Sequence, residues 1–144
     1  MYYCNLLTKL YFKYYDILST YIDKYDNYTT YISYDRPYVL VCVWEKLAKH
    51  NGVFSDDIKK ISIEVMQLEY IYNCNNYKVT DDLVNIEMKK INISNDVDKE
   101  WRKWHTICEF LDVTSIHPKN VLKIVDLEQG GHLQTLDIDL FNKK

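Results

Sequence analysis

His105 and Cys108 stand three residues apart, the spacing that puts two side chains on one face of a helix. Such a pair could begin a zinc site, or supply a thiol nucleophile together with its base. A structural zinc site needs about two more ligands, and His117 or His132 would have to be brought to it by the fold. A nucleophilic thiol needs an accessible, electropositive setting. Cys108 instead falls on an apolar stripe, where burial raises a thiol's pKa and leaves it inert. Asp56-Asp57 and Asp81-Asp82 look like acid pairs suited to proton transfer. Each, however, follows a capping residue (Ser55, Thr80) at the start of a helical pattern, where the helix dipole favours negative charge. There is no Gly-rich phosphate loop and no Gly-x-Ser-x-Gly, and three glycines leave little scope for a cofactor cradle. The residues point away from an enzyme and call for neither metal nor cofactor.

The run Lys99-Glu100-Trp101-Arg102-Lys103-Trp104-His105 interleaves basic and aromatic side chains, as nucleic-acid binders do. Its spacing argues otherwise. Val97, Trp101, Trp104, Cys108 and Leu111 recur at steps of 4, 3, 4 and 3, which is one stripe down one helix face. Both tryptophans should therefore face the core while Arg102 and Lys103 face solvent, and aromatics buried away from the charges cannot stack bases beside them. The stripe makes this the expected central packing helix.

The elements around it follow the same logic. Leu7, Leu10, Tyr14, Ile17 and Tyr21 predict a first helix from about Asn5 to Lys24. Residues 26 to 38 are dense in tyrosine among Thr, Ser, Asn and Asp, and read as an irregular connection or a short strand. Pro37 fits the first position of a second helix running to His50, with Asn51-Gly52 as its stop. Ser55 caps a third helix striped by Ile58, Ile61, Val65, Leu68 and Tyr72, which dies in Asn73-Cys74-Asn75-Asn76. Thr80 opens a shorter fourth helix over Leu83, Val84, Met88 and Ile91. The tryptophan helix follows, and Pro118 starts a sixth helix that Gly130-Gly131 ends. Leu133, Leu136, Ile138 and Leu140 fit either a short extended segment or a helical one. The fold class expected is all-α: a single domain over 1–144, built as one compact bundle of five to seven helices, with room for a short extended C-terminal segment.

Composition narrows the function classes. At 144 residues and 47% hydrophobic, the chain can bury a core without staples. A net charge of −3 and a pI near 5.8 argue against broad binding to nucleic acid or acidic membranes. Fourteen Tyr but three Gly, a single Ala (Ala48), and 18 basic residues of which only Arg36 and Arg102 are Arg suggest an AT-rich genome, such as that of a large DNA virus or a protist. Asn5, Lys9 and Lys13 interrupt any apolar core of a secretory signal, so Cys4, Cys42, Cys74 and Cys108 read as reduced cytosolic thiols. No apolar run is long enough to span a membrane.

Leu18-Ser-Thr-Tyr21-Ile22 followed by Cys42-Val-Trp44-Glu-Lys-Leu47 resembles two helices of the poxvirus B-cell-lymphoma-two-like proteins. Trp101-x-x-Trp104-x-x-x-Cys108 before Val121-Leu122 is similar to the aromatic start of the family's late helices. The two stretches cover about a third of the chain. The family's Gly-containing groove signature is absent, and no functional residue transfers. The resemblance implies an intracellular helical bundle that blocks host apoptotic or innate immune signalling by binding host proteins.

The sequence thus reads as a protein-binding module of the host-cell cytoplasm, monomer or homodimer, with host proteins as partners. Its candidate contacts are Tyr31, Tyr34 and Tyr38 in the connection, with Arg102 and Lys103 outside the tryptophan helix. A small nucleic-acid-binding or transcription accessory protein is the alternative, and a structural or self-assembling component the second.

Overall fold

A computed structural model describes residues 4–19 and 36–127, and among them six helices and no strand. These are α1 (Asn5–Ser19), α2 (Pro37–His50), α3 (Asp56–Cys74), α4 (Asp81–Lys90), α5 (Val97–Val113) and α6 (Pro118–Leu127). The architecture is an all-α bundle, as the periodicity predicts. Tyr21 and the end of the first helix, the connection with Tyr31 and Tyr34, and the tail from Gly130 onward lie outside the described residues.

Local chemistry sets the boundaries. Ser55 Oγ accepts from Ile58 N, Thr80 Oγ1 from Leu83 N and Asp96 Oδ1 from Lys99 N, so three helices start on side-chain caps. Pro37 and Pro118 occupy first helical positions. Gly52 follows α2 at φ +69°, where a Cβ would be strained. Asp81 does more than favour its own helix. Its carboxylate accepts from Asn5 N and Asn5 Nδ2, both at 2.8 Å, and so caps α1 from across the bundle.

The centre of the bundle is α3, not α5. It packs on each of the other five helices, and every residue from Val65 to Tyr72 is buried. The sequence hides this because Ser62, Gln67 and Glu69, all fully buried, make α3 look amphipathic although its stretch from Val65 to Tyr72 is enclosed on every face. On α5 the stripe divides. Trp104 and Cys108 are fully buried, whereas Val97, Trp101 and Leu111 are half-buried. Trp101 is thus a rim residue and not the core residue its spacing predicts. The tryptophan at the core's other end is Trp44 of α2, held by Tyr14 (centroids 4.5 Å apart) and edge-on by Tyr11 (5.1 Å).

Candidate functional site

Two buried carboxylates organise the interior beside α5. Glu45 of α2, 4% exposed, accepts from Trp101 Nε1 at 2.7 Å and lies 2.7 Å from His105 Nε2. His105 Nδ1 is in turn 3.0 Å from the hydroxyl of Tyr38. With a neutral imidazole, one tautomer satisfies every group: Nε2–H donates to Glu45, and Nδ1 accepts from the Tyr38 O–H. A Tyr–His–Glu file of this kind could relay a proton. Its phenol is tuned the other way. Burial pushes the Tyr38 phenol far above its ordinary value, and the neighbouring Cys42 adds to the shift. Burial also raises the Cys42 thiol. Neither group is an activated nucleophile or base, and the file's physical effect is to fix the Trp101 and His105 rings.

Glu69 of α3 is fully buried and fully occupied. Its Oε1 accepts from Tyr38 N at 3.1 Å and faces Arg36 Nε at 3.4 Å. Its Oε2 accepts from Asn73 Nδ2 and from the hydroxyl of Tyr77. Arg36 reaches on to Asp112 of α5. Burial works against the guanidinium's charge, but Glu69 and Asp112 outweigh it, and the net effect holds Arg36 ionised. Tyr77 takes a positive φ of 63°, an outlier for a bulky residue. Its hydroxyl bond to Glu69 and its ring contact with Tyr72 at 5.7 Å hold it there. Both carboxylates are therefore consumed in tying α2, α3 and α5 together.

The outward consequence is an aromatic patch. Phe54, in the α2–α3 connection, meets Trp101 edge-to-face with centroids 5.4 Å apart. Lys49 Nζ, from the last turn of α2, sits 4.9 Å from the Phe54 centroid and 5.4 Å from that of Trp101. Lys59 Nζ, from the first turns of α3, is 5.5 Å from both. Two cations thus share one half-buried aromatic pair. Lys59 also bonds Asp98 at 3.2 Å, and Arg102 meets the other oxygen of Asp98 at 2.9 Å. No family model matches the chain, and no curated protein or solved structure matches it.

Of the candidate contacts that lie among the described residues, only Arg102 borders this patch, through Asp98. Tyr38 requires correction: it belongs to α2, is 7% exposed and serves the His105 file, so it is no surface contact. The reason is that Pro37 starts the helix one residue earlier, turning Tyr38 into the bundle. Lys103 is half-buried, with its ammonium 5.8 Å from the Trp104 ring. Tyr31 and Tyr34 lie outside the described residues. Sequence reasoning missed Phe54, Lys49 and Lys59. A large aromatic isolated between Gly52 and a helix cap was the available signal. Among the described residues no group of three or more His, Cys, Asp or Glu could hold a metal ion, and no helix is long and apolar enough to cross a membrane.

Proposed function

We propose that this chain is a protein-binding module that docks through the Phe54–Trp101 patch. The observation that carries the reading is the half-buried aromatic pair under two lysines, with the indole locked from behind by Glu45. Trp and Phe are enriched in interface cores, and Trp dominates binding energy where it is found. A ring already fixed in place loses little freedom on binding. Lys49 and Lys59 supply a positive rim that suits an acidic partner face. The edge-to-face packing supports a protein over a nucleic acid, since it offers no parallel ring faces for successive bases.

The resemblance to the poxvirus B-cell-lymphoma-two-like proteins supplies the class of partner. We infer a host protein of apoptotic or innate immune signalling, met in the host-cell cytoplasm, with the chain acting as its modulator. The test is a binding comparison between the unaltered chain and Phe54→Ala with Lys49→Glu. Both positions are off the main core, so the double variant should keep its melting temperature within a few degrees. Stable capture of a signalling protein from host lysate, lost in the double variant, supports the reading. Retention of the same partner by the double variant would sink the patch, and recovery of no stable partner would sink the module. Retention on immobilised RNA that falls steeply with salt would favour the nucleic-acid alternative.

A further inference from the structure

Glu100 of α5 is a third buried carboxylate, 5% exposed, and it is bonded unlike Glu45 and Glu69. Its Oε2 accepts from the Trp104 indole at 3.2 Å, and among the described residues no cation pairs with it. A carboxylate offers about four acceptor sites, and burying one is costly until it meets a positive charge. Glu100 lines a cleft of about 320 Å³ between the first half of α3 and the chain entering α5, at the small end of small-molecule sites. Glu64 of α3 lines the same cleft, half-buried and without a hydrogen bond or ion pair among the described residues. Burial pushes its carboxyl above the ordinary value, and the charge of Lys13 on α1 offsets this only in part. Lys60 also lines the cleft, but its side chain is exposed and bonds neither acid. Ile63, Ile93 and Val97 supply an apolar wall, of which Ile93 is 53% exposed. The N-terminus of α5 borders the cleft, but its dipole is already met by the Asp96 cap and by Asp98 in its first turn.

We propose that this cleft binds a small primary amine in its ammonium form. An alkylammonium brings three N–H donors and no acceptor, which suits two carboxylates that lack a cation. Its chain can lie on Ile63, Ile93 and Val97 while the charged head meets the acids, as amphipathic cations do elsewhere. Two carboxylates fall short of a metal site, and among the described residues no group of three His, Cys, Asp or Glu could hold one. The cleft shares no residue with the Phe54–Trp101 patch, so either can fail without the other.

The experiment is a titration of the full chain with n-butylamine at neutral pH and constant ionic strength, followed by amide NMR shifts. The amine is then protonated, as a lysine side chain is. Saturable shifts should gather on residues 60–64, 93–97 and 100. Glu64→Gln should weaken binding about tenfold or more. Glu64 makes no hydrogen bond among the described residues, so this variant should fold normally. Glu100→Gln should weaken binding in the same direction, its amide oxygen still serving the Trp104 N–H. Lys60→Gln, which removes a repelling charge, should bind at least as tightly as the parent. Butanol, with the chain and no charge, and ammonium chloride, with the charge and no chain, should both bind more weakly. Shifts that do not saturate, equal binding by Glu64→Gln, or butanol equalling butylamine would each overturn the proposal. Magnesium or calcium giving the same saturable shifts would make this a metal site and overturn the amine. A short lysine peptide binding more tightly than butylamine would move the occupant to a partner protein and overturn the small-ligand assignment.

Discussion

Trp101 of α5 donates its indole N–H to Glu45 of α2 across 2.7 Å, and the same carboxylate takes His105 Nε2 on its other oxygen. One buried acid thus fixes two rings, one of which faces the proposed binding patch. Glu45→Ala leaves both N–H groups without their acceptor, at a cost of about 2–3 kcal/mol. Glu45→Gln should cost less. The amide oxygen can keep Trp101, and His105 can change tautomer to accept from the new amide N–H. Urea unfolding of the two variants tests this, and equal losses would contradict the tautomer argument.

The two tryptophans of α5 should separate in the same measurement. Trp104 is fully buried, edge-on to Tyr70 at 5.8 Å and bonded to Glu100 at 3.2 Å. Trp104→Ala should cost about 3–5 kcal/mol. Trp101 is half-buried, so Trp101→Ala should cost clearly less while removing the proposed contact surface. A Trp101 variant as unstable as the Trp104 variant would return Trp101 to the core.

The contrast shows where sequence reading succeeds. Helix starts are local chemistry: Ser55, Thr80, Pro37 and Pro118 act on their own backbone within a few residues, and each marks a real boundary. Asn51-Gly52 is equally local. What decides Trp101 from Trp104 is the distant placement of Glu45, Phe54 and Tyr70, which no spacing within α5 encodes. The identity of the central helix was hidden for a related reason. Gln67 and Glu69 are polar by type, and only their partners, or lack of them, reveal full enclosure. Glu69 binds groups at Arg36, Tyr38, Asn73 and Tyr77, and two of those four, the cap residue Arg36 and Tyr38 of α2, are more than thirty residues away in sequence.

Gln67 makes a sharper case. It is fully buried on α3, and among the described residues neither its amide oxygen nor its nitrogen has a hydrogen-bond partner. Burying an unsatisfied amide costs about 1–3 kcal/mol. Gln67→Met keeps similar length and removes both polar atoms, so it should raise stability by an amount in that range. Loss of stability would mean that the amide is served by a buried solvent molecule.

Alkali should unfold the protein early, and Cys108 gives the cleanest reading. The thiol is fully buried beside Met66 O on α3. Burial raises it well above its ordinary value, and the charges of Glu69 and Asp112 add to the shift. The folded pKa exceeds the unfolded one, so the stabilising contribution is complete below the unfolded value, about 8.5. It falls as pH rises from there, because the unfolded chain releases a proton that the native chain keeps. The half-buried thiols of Cys42 and Cys74 shift in the same direction, also through burial. The raised phenols of Tyr38 and Tyr77 extend the loss beyond about pH 10. Urea midpoints should therefore be level near neutrality and decline above about pH 8.5. Cys108→Ala should start from a lower stability at neutral pH, having lost a buried sulfur. Its decline should nonetheless be shallower, by about 1.4 kcal/mol per pH unit where only the unfolded thiol would ionise. A variant that declines as steeply as the parent would show that Cys108 contributes nothing to the alkaline limb, and the load would then fall on Cys42, Cys74 and the phenols of Tyr38 and Tyr77.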